Sequence, residues 1–394
     1  MFSYNAGWTG SGYKYKPLDC KIYVPAQSVN AYKNTVWWSD YAGIIYAMPA
    51  GMDVVNLSES GSANSYIVSE AGSYKFTPTK GNSNESVGVI ASVEVLWETF
   101  GTDVTPNMGD LVKMVSYSDG YITFHTPSKF KEGNAVIAAK DSSGKILWSW
   151  HIWLTDEPYE VVYYYNAGTM MDRNLGATSA TPGNIGALGL LYQWGRKDPF
   201  LGSSSINSSI EAKSTITWPS AVSSNLSNGT IEYATANPTT FITYNSSNSD
   251  WYYTGSSSTD NTRWTSSETS KSIYDPCPVG WRVPDGGSNG VWSKASRSSS
   301  SFSDKSLYNS TNEGIDFSGT FGHGGAIWYP ASGFRSDRSG SLLDVGNNCY
   351  CWSASPGSDV NYSAQALSFN DNGYVNPSCN CFRAPGSSVR CVQE

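Results

Sequence analysis

Charge is what this sequence is short of. Charged residues make up 15% of its 394 positions, against about 25% in an average soluble protein. The formal net charge is −8 and no basic run stands out, so the electrostatic footprint that a nucleic-acid partner needs is missing. Histidine is scarce: His125, His151 and His323 are the whole set. With so few histidines, nucleophilic catalysis of the Ser/His or Cys/His kind has little to build on. There is no Walker loop, His-Glu-x-x-His or EF-hand pattern, and no pair of carboxylates is singled out for glycoside hydrolysis. No apolar run approaches the ~20 residues of a membrane-spanning helix. The regular series of ~10-residue alternating strands that makes an outer-membrane barrel is not found either. Met1-Phe2-Ser3-Tyr4-Asn5 offers neither the basic start nor the apolar core of a signal peptide.

Cysteine is missing from the long stretch between Cys20 and Cys277. The other six residues, Cys277, Cys349, Cys351, Cys379, Cys381 and Cys391, fall in the last third. An even-numbered cluster confined to one module reads as a disulfide framework formed outside the cytosol. Ser, Thr, Asn and Gly take the place of charge, and aromatics reach 14%, too many rings for wholesale disorder. The expectation is a mature or cut-down exported protein of two or three domains.

Three regions are visible. In residues 1–50, Lys21-Ile22-Tyr23-Val24-Pro25 reads as a strand. Val29, Tyr32, Val36 or Trp37, Tyr41 and Ile44 then recur at the spacing of an amphipathic helix. Such a unit is too small to bury its own apolar face and looks like the end of a repeat array. Residues 51–157 are strand-like. Ser65–Val68, Gly72–Phe76, Val93–Trp97 and Gly120–Phe124 are short, β-branched or aromatic, and bounded by turns. A hairpin runs from Ala135–Ala138 through Asp141-Ser142-Ser143-Gly144 into Ile146–Leu154. In that last strand Ile146, Trp148, Trp150, Ile152 and Leu154 share one face, and Lys145, Leu147, Ser149, His151 and Trp153 the other. The spacing predicts an immunoglobulin-like sandwich, with His125 and His151 as half-exposed strand residues.

In residues 158–394 a strand over Val161–Tyr165 is followed by a helix predicted over Gly189–Pro199. An irregular Ser/Thr/Asn-rich insertion, partly packed around its aromatics, occupies 203–272. The fold class expected is mainly β, with an α+β C-terminal module carrying long irregular loops.

Several segments resemble known families. "KIYVPAQSVNAYKNTVWWSDYAGIIYAM" resembles the last turn and C-terminal helix of BspA-type leucine-rich-repeat surface proteins. "SANSYIVSEAGSYKF" and "GKILWSWHIWLTD" are similar to the fimbrillin-associated β-domain. "MDRNLGAT", "LYQWGRKDPF", "YDPCPVGWRVP" and the closing "VRCV" resemble, in order over about 230 residues, the FISUMP (Fibrobacter succinogenes major paralogous) domain. That resemblance implies a C-type-lectin-like fold with two short helices, a twisted antiparallel sheet and long loops. It also implies a bacterial protein that is secreted or carried at the cell surface.

The lectin-like resemblance implies a bridge between Cys277 and Cys391, which would close a loop worth about 4–5 kcal/mol. Cys349/Cys351 and Cys379/Cys381 are Cys-x-Cys pairs whose members share a strand face. Facing each other across a ladder, they could bridge as 349–381 with 351–379 or as 349–379 with 351–381. A four-thiolate zinc site is disfavoured by the one-residue spacing.

Calcium-dependent lectins of this fold use carbonyl-bearing triplets, and the corresponding position here is Trp352-Ser353-Ala354. Calcium is therefore unsupported and no cofactor is expected. Formylglycine-generating enzymes share the broad fold and use a reactive cysteine pair, for which six bridged cysteines leave no thiol.

Recognition remains. Trp251-Tyr252-Tyr253, Trp264, Trp328-Tyr329, Tyr350 and His323 in a glycine-rich loop are candidate ligand-surface residues, with Asp337, Arg338 and Asp344 as a polar loop cluster. The expected function is non-enzymatic adhesion to a glycan or surface protein. The alternatives are a structural or tip subunit of a fimbria or, more weakly, a carbohydrate- or thiol-active enzyme.

Overall fold

The computed structural model describes residues 21–24, 28–36, 38–47, 54–246, 248–255, 260–267, 270–323, 325–359 and 362–394. Cys20, Trp37, Gly324 and the opening residues lie outside this set. The chain divides into two compact units, Met1–Asp53 and Val54–Glu394.

In the first unit, the strand Ile22–Val24 pairs in parallel with Ile45–Ala47, Ile22 opposite Ile45. Between them lie an α-helix, Val29–Asn34, and a 3₁₀ helix, Ser39–Ile44. The single helix expected there is broken. Thr35 caps the first piece in extended conformation, where β-branched Thr35 and Val36 carry a χ1 penalty against helix.

The second unit is mainly β. Its first part is two four-stranded sheets. One runs in the order Ser65–Val68, Ile146–Leu154, Gly133–Lys140, Ser92–Thr99, and the other Val54–Asn56, Ser73–Phe76, Tyr121–His125, Lys113–Ser118. Tyr66, Phe76, Phe124, Ile137, Trp148, Trp150 and Ile152 share the core between them. The Asp141–Gly144 turn closes the hairpin as expected, the Asp141 carboxylate accepting from the Ser143 and Lys145 amides at 2.8 and 3.0 Å.

The opposite face of the first sheet is equally dry. Trp97, Val136 and Trp153 join a cluster with Leu175, Leu190, Trp194, Trp264 and Trp352 of the C-terminal part. The Ile146–Leu154 strand is therefore buried on both faces, which is why apolar residues occupy both of its parities. Trp153 donates its indole N–H to Ala177 O at 2.9 Å, and Asn134 its amide to Gly176 O at 2.9 Å. His151 is correspondingly 2% exposed, not half-exposed as expected, because the C-terminal part covers the face on which it stands.

The C-terminal part is organised by a sheet of eight strands. Its order is Phe302–Ser303, Tyr374–Phe382, Ser363–Asn370, Asn348–Pro356, Gly386–Val389, Phe334–Arg335, Leu342–Leu343, with Tyr192–Gln193 paired off Gly386–Val389. A four-stranded sheet brings Val392–Gln393 between Gly168–Met171 and Trp281–Arg282. Two six-residue helices, Ile231–Ala236 and Val291–Ser296, pack beside them.

The helix expected over Gly189–Pro199 does not form. Gly189 and Gly195 sit at φ +74° and +83°, outside the helical region. The segment turns instead, and a Cβ at Gly195 would stand 2.5 Å from Arg263 Cβ. The insertion at 203–272 is irregular but anchored, with Trp251 and Trp264 wholly buried.

Candidate functional site

The motifs that carry the family resemblance build scaffold. Asn174 accepts from Arg390 Nε at 3.2 Å, and Arg390 also donates to Trp328 O at 2.7 Å and lies 3.6 Å from the Tyr329 ring centre. Gln193 donates to Ile242 O and Ala384 O at 2.7 and 2.6 Å. The Asp275 carboxylate accepts from the Cys277 and Val283 amides at 2.8 Å each. Lys197 Nζ reaches Ser149 Oγ and Asp198 Oδ1 at 2.6 Å. A serine beside a lysine is a nucleophile–base pair in principle. Here, however, the recess beside Lys197 holds about 10 Å³, room for one water and no substrate.

A cavity of about 350 Å³ opens on one face of the eight-stranded sheet. Tyr350 and Trp352 come from one strand, Cys379 and Cys381 from a second, and Ser387 from a third, all on the same face of the sheet. The strand between the first two places Ala366 opposite both Trp352 and Cys379, and Ala364 opposite Cys381. Those short side chains leave the space. Phe334, Phe382 and Pro385 add apolar walls, and Asp337, Asp359, Ser363 and Asn380 supply polar groups.

Tyr350 meets Phe334 edge-on with ring centres 5.5 Å apart. Burial, ahead of the nearby thiols, pushes its hydroxyl up to about 12, so it stays a neutral donor. Ser363 Oγ donates to Asp359 Oδ1 at 2.5 Å, and Asn380 Oδ1 accepts from the Ser358 amide at 3.2 Å, fixing the rim. The lining holds two carboxylates, the rings of Phe334, Tyr350 and Phe382 over a wholly buried Trp352, and no Lys or Arg among the described residues. It suits a neutral or cationic ligand with hydroxyl or amide groups and disfavours an anionic one.

The chain matches no family model, no curated protein and no solved structure.

The described cysteines divide three ways. Cys277 and Cys391 are bonded, with Cα atoms 6.1 Å apart and a sequence separation of 114. The bridges expected among the other four do not form. Ser363–Asn370 lies between the strand of Cys349/Cys351 and that of Cys379/Cys381. The two pairs are thus two strand spacings apart, on the order of 10 Å, beyond the ~7 Å reach of a disulfide.

They also face opposite ways. Cys349 and Cys351 pack with Leu367 and Phe369, whereas Cys381 packs with Trp352, Ala364 and Ala366 on the other face. A four-thiolate zinc site is excluded by the same geometry. Cys349 and Cys351 are buried thiols, and burial raises both, Cys351 to about 12. Cys379 and Cys381 are partly exposed, with their sulfurs 2.9 Å apart.

The surface residues expected from the sequence are scattered. Trp251, Trp264 and Trp328 are core residues, between 0% and 2% exposed. Their rings are unavailable to a ligand because the irregular insertion and the sheet close over them. The Trp251 and Trp264 indoles donate to Trp194 O and Arg196 O at 2.8 and 3.1 Å. Tyr252 and Tyr253 are half-buried. His323 is exposed and contacts Tyr164 OH through Nδ1 at 2.6 Å, away from the cavity.

Asp344 is exposed and accepts from Asn348 Nδ2 at 2.9 Å, and exposed Arg338 lies 5.9 Å from the Tyr244 ring centre. Of that polar cluster only Asp337 lines the cavity, together with Tyr350. Phe334, Asp359, Asn380 and Phe382 were missed. The sequence signal that could have found them is the Cys-x-Cys pair itself, which places Asn380 and Phe382 beside two residues of one strand face.

Proposed function

We propose that this chain is a binding protein of the bacterial cell surface whose C-terminal module recognises a neutral or amino-bearing glycan through the cavity beside Tyr350. The lining carries the reading: flat aromatic faces next to carboxylate, hydroxyl and amide groups, with no basic side chain among the described residues. Sugar rings present apolar C–H faces to aromatics and hydroxyls to such acceptors. The FISUMP-like motifs support a C-type-lectin-like module, and the strand pattern of residues 54–154 an immunoglobulin-like spacer. The first unit is read as the end of a leucine-rich-repeat array. The buried Cys277–Cys391 bridge supports export, since such bonds persist in oxidising compartments. On this reading the protein binds rather than catalyses.

A glycan array probed with the whole chain and with Tyr350→Ala tests it. Binding to neutral or amine-bearing glycans, absent from sialylated ones and lost in the variant at unchanged Tm, is expected. A blank array, or equal binding by Tyr350→Ala, overturns the reading. Concentration-dependent self-assembly would then favour a structural subunit of a surface assembly.

A further inference from the structure

Sugar recognition gives no task to the two thiols on the cavity wall. We propose that Cys379 and Cys381 form a dithiol–disulfide exchange site, open through this cavity to small disulfides with cationic or neutral arms. Four observations converge on it. The sulfurs are 2.9 Å apart, on the same face of one strand. Residues two apart on a strand have Cα atoms about 6.6 Å apart, at the upper end of the usual ~4.4–6.8 Å range for a disulfide, and here the sulfurs already stand in contact. Both residues line a cavity of about 350 Å³. The remaining described cysteines are either bonded, as Cys277 and Cys391, or sealed in the core, as Cys349 and Cys351.

The two thiols are also unequal, as an attacking and a resolving sulfur must be. A hydrogen bond from the Cys381 thiol lowers Cys379, with the Ser368 hydroxyl adding to it and burial opposing. The same hydrogen bond, then burial, raises Cys381. Cys379, lowered where its neighbour is raised, is therefore assigned the attacking role.

The exchange proceeds in two displacements. The Cys379 thiolate attacks one sulfur of an incoming disulfide R–S–S–R, whose S–S bond breaks. One thiolate leaves and takes a proton from water. Cys381 then gives its proton to water and its sulfur attacks Cys379 in the mixed disulfide, expelling the second thiolate. Two protein thiols are oxidised to one disulfide, and the incoming disulfide is reduced to two thiols. Asp337 and Asp359 on the cavity wall favour a cationic disulfide over an anionic one.

The test uses the whole chain, cystamine as a cationic disulfide and oxidised glutathione as an anionic one, followed by alkylation and peptide mass spectrometry. Expected is a Cys379–Cys381 bond, with the chain lighter by two hydrogens and no cysteamine retained. Glutathione should react several-fold more slowly, with the gap narrowing at high salt. Cys381→Ser should hold one cysteamine on Cys379, and Cys379→Ser should react at least tenfold more slowly than the parent. Protein isolated with the 379–381 bond already closed supports the proposal equally, and its opening by cysteamine is then followed.

Absence of that bond in folded protein overturns the proposal, as does a Cys381→Ser chain that traps nothing. Should either variant fail to fold, wild-type alkylation decides: labelling of Cys349 as fast as Cys379 sinks the idea. None of these readouts depends on a sugar, so this proposal and the glycan reading fail separately.

Discussion

His151 donates from Nε2 to Asn134 Oδ1 at 2.8 Å, while its Nδ1 accepts from Ser65 Oγ at 2.9 Å. Asn134 commits its amide to Gly176 O, so its oxygen must accept, and that fixes the imidazole as the neutral Nε2–H form. The contact ties the sandwich sheet to the C-terminal part through a group that is neutral only above its titration.

Acid should therefore loosen this junction. Burial holds His151 down at about 3 against an ordinary 6.5. The unfolded chain takes up a proton below pH 6.5 and the folded one does not, so stability falls as pH drops from 6.5 towards 3. At pH 5 the cost is about 2 kcal/mol. Asp275 works oppositely: burial raises it to about 6, so its contribution weakens as pH rises from about 4 to 6. Urea midpoints at pH 7 and pH 5 for wild type and His151→Gln separate the two. The variant should lose about 2 kcal/mol of acid sensitivity, and an unchanged slope would exclude the effect.

Asp250 answers two buried arginines. It pairs with Arg263, whose guanidinium lies 4.8 and 4.9 Å from the Trp194 and Trp251 ring centres, and stands 3.7 Å from Arg383. Asp250→Asn leaves that charge unanswered in a dry site. Equilibrium unfolding should show a loss of about 3–5 kcal/mol; a change under about 1 kcal/mol would mean the pair behaves like an exposed one.

The Cys277–Cys391 bridge closes a loop spanning 114 positions and is wholly buried. Its removal by Cys277→Ser with Cys391→Ser should cost about 4–5 kcal/mol, read from denaturant midpoints. In folded wild type, mild reductant should leave this bond intact while any bond at Cys379–Cys381 opens.

Phe382 is 47% exposed at the cavity rim. Phe382→Ala should weaken binding of an array-selected glycan about tenfold, or ~1.4 kcal/mol, at unchanged Tm. Calorimetry measures the affinity and a melting curve the stability; unchanged affinity removes this residue from the site.

Strands over Ser65–Val68 and Ile146–Leu154 and the turn at Asp141–Gly144 were legible because alternation and turn chemistry are local properties of the chain. The helix read over Gly189–Pro199 was not, because Leu190, Leu191 and Trp194 are apolar at helical spacing for another reason: Leu190 and Trp194 join the core shared with the first sheet, while Leu191 packs with Leu342 and Val345. Gly195 gave the warning, and its φ of +83° shows what it permits. The aromatics were counted correctly but placed wrongly. Trp251 and Trp264 stand in a stretch of Ser, Thr and Asn that looks solvated, yet their indoles bond carbonyls at 194 and 196.

What the sequence determined by itself is the β class, the sandwich strands and the strand-face parity of each Cys-x-Cys pair, all set by period-two alternation. Which thiols meet was decided only by the tertiary structure. Inserting Ser363–Asn370 between the two cysteine strands separates the pairs and turns them to opposite faces, because strand order and register depend on partners remote in the chain. The same insertion, through Ala364 and Ala366, opens the cavity.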